Sequence, residues 1–315
     1  MNTPPFTHAT AFAPASIGNV AVGFDLLGHA LDAVGDAVTA HRVERAGVRI
    51  RGVRGDDGAL PRDAEGNTAG RAVLSLLATV DAGAGAGIEL DIDKGIPLSS
   101  GLGGSAASAV AAVLAAARVL GADESPQALY PHALAGEAVA SGAAHGDNVA
   151  PQLAGGLVLA TSQRIVPVPV PAGLTAVAVH PEHRVDTRHA RECLSEPFAL
   201  ATVVTQTANL AQVLCGCHGS DFDLIRAGLR DVMVEPRRAA LVPGFAAVQR
   251  AAMEHGALGA SISGAGPTVF AWFSDAPAAG RAGDAMIAAF RRAGLAAAAW
   301  VSPVAAPGAR IMDCR

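Results

Sequence analysis

Lys94-Gly95-Ile96-Pro97-Leu98-Ser99-Ser100-Gly101-Leu102-Gly103-Gly104-Ser105-Ala106-Ala107-Ser108 is the stretch that decides how the rest of the chain is read. Upstream, Gly87-Ile88-Glu89-Leu90-Asp91-Ile92 alternates apolar and polar residues, as a half-buried strand does. Pro97 breaks the strand ladder, and Gly101, Gly103 and Gly104 give a loop with no Cβ to obstruct a ligand. Ser105 stands in helix N-cap position, and Ala106 to Leu120 are almost all strong helix formers. Glycines ending at a helix N-terminus offer unpaired N–H groups and the positive end of a dipole, an anion site usually taken by phosphate. A glycine-rich turn joining a strand to an alanine helix explains a lone loop of this kind equally well.

Two familiar phosphate loops are excluded. A Walker A loop requires Lys-Ser or Lys-Thr after its last glycine, and Gly104 is followed by Ser105-Ala106. The dinucleotide fingerprint G-x-G-x-x-G fails because Gly101-Leu102-Gly103 leads to Ala106.

Working outward, the 315 residues allow two domains of ordinary size. Half of them are hydrophobic but only 4% aromatic, so the core must be built from Ala, Val, Leu and Ile. A formal charge of −5 argues against a dedicated nucleic-acid surface. Lys94 is the only lysine, so nearly every basic residue is an arginine, suited to forked recognition of carboxylate or phosphate. Cys193, Cys215, Cys217 and Cys314 lack the spacing of a haem or zinc motif and read as reduced residues of a cytoplasmic protein. No secretory signal is visible, and the apolar run 106–117 is too short to span a bilayer.

Along the chain, Thr10–Ala13 reads as a strand, followed by Pro14-Ala15-Ser16-Ile17-Gly18-Asn19-Val20-Ala21-Val22-Gly23-Phe24-Asp25 as a loop. Val38–Val43 and Val48–Val53 read as a strand pair turned at Ala46-Gly47, and Asn67-Thr68 caps a helix to about Val80. Ser125-Pro126 opens a helix to about Ser141, with Glu137 near its end. A glycine-containing bend follows, carrying His145, Asp147 and Asn148. Strands are expected at 157–160 and 165–170, then 174–180, with a short helix placing Thr187 and Arg191 one turn apart. Helices at about 198–215 and 221–231 lead to Glu235-Pro236-Arg237-Arg238. Strands at 257–263 and 267–273 flank Ser263-Gly264-Ala265-Gly266; a helix at about 277–293 and a strand at 295–302 finish the chain.

Three of these segments resemble the motifs of the GHMP kinases. Residues 14–25 resemble the P-A-S/T-x-x-N-x-x-x-G-F-D form of the homoserine kinase branch, 97–106 the P-x-x-x-G-L-G-S-S-A loop, and 263–268 the S-G-A-G-P-T element. His145-Gly146-Asp147-Asn148-Val149-Ala150-Pro151 is similar to the branch signature H-x-D-N-x-A-P. Gly104 stands where the loop motif has its first serine, while Ser105 is kept.

The resemblance implies an α+β, two-domain GHMP kinase fold. Residues 1–170 would form a ribosomal protein S5 domain 2-like ATP-binding domain, and 171–315 a ferredoxin-like domain. It implies transfer of phosphate from ATP to the side-chain hydroxyl of L-homoserine, on the route to threonine, in the cytoplasm, and it allows a homodimer. Nucleic acid and membrane are not expected partners.

Residue by residue, nucleotide contacts fall on Asn67, Lys94, Pro97, Leu98, Ser99, Ser100, Gly101, Leu102, Gly103, Gly104, Ser105 and Ala106, with Asn67 beside the adenine. Ser105 and Glu137 are the expected Mg²⁺ ligands. Asn19, Asp25, His145, Asn148, Thr187, Arg191 and Arg238 would meet the amino acid, the arginines taking its carboxylate and Asn19 and Asp25 its ammonium. Family members that use a base place an aspartate eleven residues after the metal glutamate, partnered by a lysine in the first motif. Here that position is Asn148 and the first motif has no lysine. Asn148 and Thr187 are therefore expected to act by alignment, with direct attack by the hydroxyl and Asp147 as the one nearby exception.

Overall fold

The computed structural model describes residues 6–80, 86–142 and 145–315. The start of the chain and the centre of the bend before His145 lie outside the described residues.

The first layer contains β1 (His8–Gly18), β2 (Leu27–Val43), β3 (Gly47–Arg54), α1 (Thr68–Leu77), β4 (Gly87–Asp93), α2 (Gly104–Leu120), α3 (Pro126–Ser141), α4 (Gly146–Ala154), β5 (Leu157–Ala160) and β6 (Ile165–Val168). Its sheet takes the order β4 between β2 and β3, with β1 on the other side of β2 and the β5–β6 hairpin attached to β2. The expected pairing of Val38–Val43 with Val48–Val53 therefore does not form. β4 separates them, antiparallel to β2 with Val38 opposite Ile92, and parallel to β3 with Val48 beside Ile88. Burial explains the order: Ile88, Leu90 and Ile92 are fully enclosed, whereas β3 carries Arg49 and Arg51 and suits an edge.

Within this layer, α2 is apolar all round and sits in the core, as the sequence requires of a helix with no polar face. Its alanines allow α1, α3, β1 and β2 to approach closely, so an aromatic-poor core still packs.

The second layer contains β7 (Thr175–Pro181), α5 (Thr187–Glu192), α6 (Leu200–Gly219), α7 (Phe222–Gly228), α8 (Glu235–Arg238), a 3₁₀ turn (Ala239–Leu241), α9 (Phe245–Glu254), β8 (Gly259–Ile262), β9 (Val269–Phe273), α10 (Ala276–Arg292) and β10 (Ala297–Pro303). Its antiparallel sheet runs β10-β7-β9-β8, the ferredoxin-like arrangement. One face is covered by α9 and α10 through Phe245, Val248, Met286 and Phe290. The opposite face turns Phe270 and Trp272 into the first core. There the Trp272 indole N–H donates to His29 Nε2 at 3.1 Å, and burial pushes His29 down to about 4.

A final strand, β11 (Arg310–Cys314), returns to the first sheet and pairs with β1, Phe12 opposite Arg310. Neither this strand nor the bounds of α9 are expected from the sequence pattern, and residues 14–18, expected as loop, complete β1 to Gly18.

Candidate active site

The phosphate loop is built by close backbone approach. Gly103, at φ +67°, caps α2, so Ser105 lies inside the first turn and not at the N-cap expected for it. A Cβ on Gly103 would stand 2.3 Å from Ser16 Oγ and 2.9 Å from Asn148 Oδ1. A Cβ on Gly101 would stand 2.5 Å from the Ser263 carbonyl. Only glycine reconciles the left-handed backbone with these neighbours.

Residues 263–268 clamp this loop from the second layer. The Ser263 hydroxyl donates to the Gly101 carbonyl at 2.7 Å, and the Thr268 hydroxyl donates to the Ser100 carbonyl at 2.7 Å. The Gly264 N–H reaches the Gly18 carbonyl at 3.2 Å, so all three sequence motifs are tied together.

Lys94, expected at the nucleotide, is taken into the fold instead. Its ammonium pairs with Asp36 and donates to the Gly104 carbonyl at 2.6 Å and to Ser108 Oγ at 2.9 Å. These three partners use its three donors, and its side chain is buried. Asp36 also accepts from Ser108 Oγ and from the N–H groups of Gly95 and Ile96. No local pattern marks Asp36, which sits on β2, 58 positions from Lys94.

A cleft of about 550 Å³ runs along the loop. Among its lining residues are Asn67, Lys94, Pro97, Leu98, Ser99, Ser100, Gly101, Gly103, Gly104 and Ser105 from the expected nucleotide set. Leu102 and Ala106 are not in the lining, and both side chains are fully buried in the core. Asn67 lines the far end beside Ala59, Leu60 and Pro61, but its amide caps α1 and bonds the Pro61 carbonyl.

Glu137, Asn148 and Thr187 line the same cleft. Glu137 hydrogen-bonds Ser105, and burial pushes its carboxyl up to about 7, with the nearby Asp147 adding to the rise. Two oxygen donors at one end of a phosphate loop fit a hard divalent cation that keeps several waters. Asn148 Oδ1 accepts from the Ser16 hydroxyl at 2.8 Å. Asp147 is not part of the cleft lining; it is buried, accepts the Asn19 N–H at 3.2 Å, and is pushed up to about 7 chiefly by burial. Asp147 and Asn148 lie on α4, a helix where the sequence pattern suggests a bend. Pro151, which cannot donate to the Asp147 carbonyl, disguises the helix.

Beyond Asn148 lies a charged cluster. Arg191 grips Asp25 with two N–H donors at 3.1 Å each, and His145 Nδ1 is 3.3 Å from Asp25. Burial lowers the His145 pKa. Arg238 is buried; it donates from Nε to the Ala190 carbonyl at 2.9 Å and from Nη1 to the Gly264 carbonyl at 3.1 Å. Both guanidinium groups lie over the Phe24 ring, Arg191 at 5.4 Å and Arg238 at 5.3 Å. Burial, and next the charge of Arg191, lower the Arg238 pKa. Asn19 braces this cluster: its Oδ1 accepts the Asp25 N–H and its Nδ2 donates to the Gly264 carbonyl. Phe24 stands in the first motif, yet its role as a platform was not read from the sequence.

The chain matches the family models "GHMP kinases N terminal domain" over residues 67–156 and "GHMP kinases C terminal" over 210–292. It is 57% identical over 305 residues to a homoserine kinase of Xanthomonas campestris pv. campestris, covering 97% of this chain and 94% of that one. A homoserine kinase of Chlorobium phaeobacteroides (strain BS1) is 42% identical over 316 residues, covering 96% of this chain and 99% of its own. The crystal structure of homoserine kinase from Cytophaga hutchinsonii superposes with a TM-score of 0.94 at 42% identity, covering 99% of each chain. Leishmania major mevalonate kinase, at 15% identity and a TM-score of 0.71, shares the fold. The chain belongs to the homoserine kinases of the GHMP kinase family.

Proposed function

We propose that this enzyme phosphorylates the side-chain hydroxyl of L-homoserine with ATP, giving O-phospho-L-homoserine on the route to threonine. The observation that carries the reading is the Arg191–Asp25 pair with Arg238 beside it, next to a phosphate-loop cleft. A zwitterion matches that cluster: its carboxylate takes the guanidinium groups and its ammonium takes Asp25. Simple alcohols lacking those charges would leave Arg238 buried with carbonyl partners alone.

The loop N–H groups around Gly101–Ser105 cradle the nucleotide phosphates. Ser105 and Glu137 would hold Mg²⁺, and the oxygen-only character of this pair supports that fit. When bound, the ion supplies charge neutralisation on the phosphates. Glu137 would then be ionised, its Ser105 hydrogen bond giving way.

The acceptor oxygen attacks the γ-phosphorus in line, and the bond to the β–γ bridging oxygen breaks with its electron pair leaving on ADP. Asn148 and Thr187 line the cleft and align the hydroxyl. No dedicated aspartate base operates; the proton passes to a phosphoryl oxygen and on to water. The seclusion of Asp147 behind the cleft supports this route, because a base must reach the proton it removes. A loose phosphoryl-transfer transition state depends mainly on position and charge.

The test is coupled ADP release with L-homoserine, mevalonate, galactose and shikimate as acceptors. Turnover should be strongest with homoserine, and equal turnover of mevalonate would defeat the assignment.

A further inference from the structure

The cationic groups of the cleft do not add up to what a triphosphate requires. Among the described residues, Lys94 and Arg184 are the only basic ones in its lining. All three donors of Lys94 are engaged inside the fold. Arg191 faces Asp25 and Arg238 faces backbone carbonyls at the amino-acid end. Arg184 remains. It is exposed, and no acidic side chain among the described residues pairs with it.

The backbone that carries it is held on both sides. Arg184 lies between β7 and α5, three positions before Thr187. On one side, the His183 ring is bonded to the Leu241 carbonyl at 3.2 Å; on the other, Val185 is buried. The backbone is thus held while a long guanidinium arm projects along the cleft that Ser105, Glu137, Asn148 and Thr187 also line. A free, forked cation next to a phosphate loop has one evident use.

We propose that Arg184 is a catalytic residue that closes on the γ-phosphoryl oxygens of bound ATP and stabilises their charge during transfer. This rests on the kinase reading above. The bond from γ-phosphorus to the bridging oxygen breaks and the bond from the acceptor oxygen forms. ADP carries away the electron pair, the acceptor proton goes to a phosphoryl oxygen, and Arg184 keeps its own protons throughout. Arg184 serves the phosphate side of Thr187, and Arg191 and Arg238 serve the amino-acid side. Removing one preorganised donor aimed at developing transition-state charge typically costs about 10²–10³-fold in turnover.

Arg184→Ala, Arg184→Gln and Arg184→Lys, each first checked for an unchanged thermal midpoint, provide the test. Both uncharged variants should lose about 100-fold in kcat while the homoserine KM stays within about two-fold. The lysine variant should keep part of the activity, and added guanidinium should restore part of the alanine variant's rate. By calorimetry, Arg184→Ala should bind a non-hydrolysable ATP analogue about ten-fold more weakly and ADP almost unchanged. A normal kcat, a loss confined to the homoserine KM, or equal weakening of both nucleotides would overturn the proposal. The calorimetric comparison needs no acceptor. If wild-type protein ignores homoserine but the nucleotide difference persists, the acceptor reading fails and Arg184 keeps its place.

Discussion

Arg191 on α5 and Asp25 at the end of the first motif, 166 positions apart, meet through two parallel hydrogen bonds of 3.1 Å. The pair brings a guanidinium and a carboxylate, the two charge types that match the ends of a zwitterion, into one cluster.

Arg191→Lys and Arg238→Lys should each raise the homoserine KM. An ammonium cannot reproduce the fork, and a loss of about 1.5–3 kcal/mol per site corresponds to roughly 10–150-fold. The ATP KM should hardly move. Steady-state kinetics varying each substrate checks this; equal changes in both constants would assign the arginines to the fold or to the nucleotide.

Lys94→Met should destabilise the protein more than most single changes, because it strands Asp36 in the core. Breaking a buried pair from one side costs about 3–5 kcal/mol. Lys94→Arg should not rescue it, since the ammonium has three partners at close range in a buried site. Urea denaturation of the three proteins reads the difference, and a near-normal midpoint for Lys94→Met would show the pair to be dispensable.

Asn148→Asp should not raise activity, because a new carboxylate in the cleft would repel the γ-phosphate. Asp147→Asn should be tolerated much better than Asp25→Asn, since Asp147 contacts a backbone N–H behind the cleft while Asp25 meets Arg191. The same kinetic assay decides it. A large kcat loss from Asp147→Asn with homoserine affinity preserved would make Asp147 the base.

His29 predicts an acid-side loss of stability. Its pKa falls from an ordinary 6.5 to about 4 in the fold, because the ring is fully buried. Between those values the unfolded chain binds more protons, so this stability is complete above about pH 6.5 and is lost as pH falls toward 4. The shift is worth up to about 3 kcal/mol. His180 is lowered to about 4 as well and contributes in the same direction. Unfolding midpoints at pH 5 and 7.5 should differ more for the wild type than for His29→Gln, and identical differences would remove His29 as the cause.

The sequence alone determined the local elements and the chemistry of the loop. Ser125 and Asn67 cap the helices expected of them, and the glycines at 101 and 103 take the left-handed backbone their residue type allows. These features depend on neighbours in the chain, and such effects are legible one segment at a time. Only the tertiary structure decided which strand stands beside which, and what each charged side chain faces. β4 entered between β2 and β3 because its alternate residues need burial on a central strand. Lys94 turned inward because Asp36 from β2 and Ser108 and the Gly104 carbonyl from α2 converge on it. Asn19 became a brace and Phe24 a platform for the same reason: their partners arrive from the second layer. A side chain's type sets what it can bond, but which bond it makes depends on packing between segments distant in the chain.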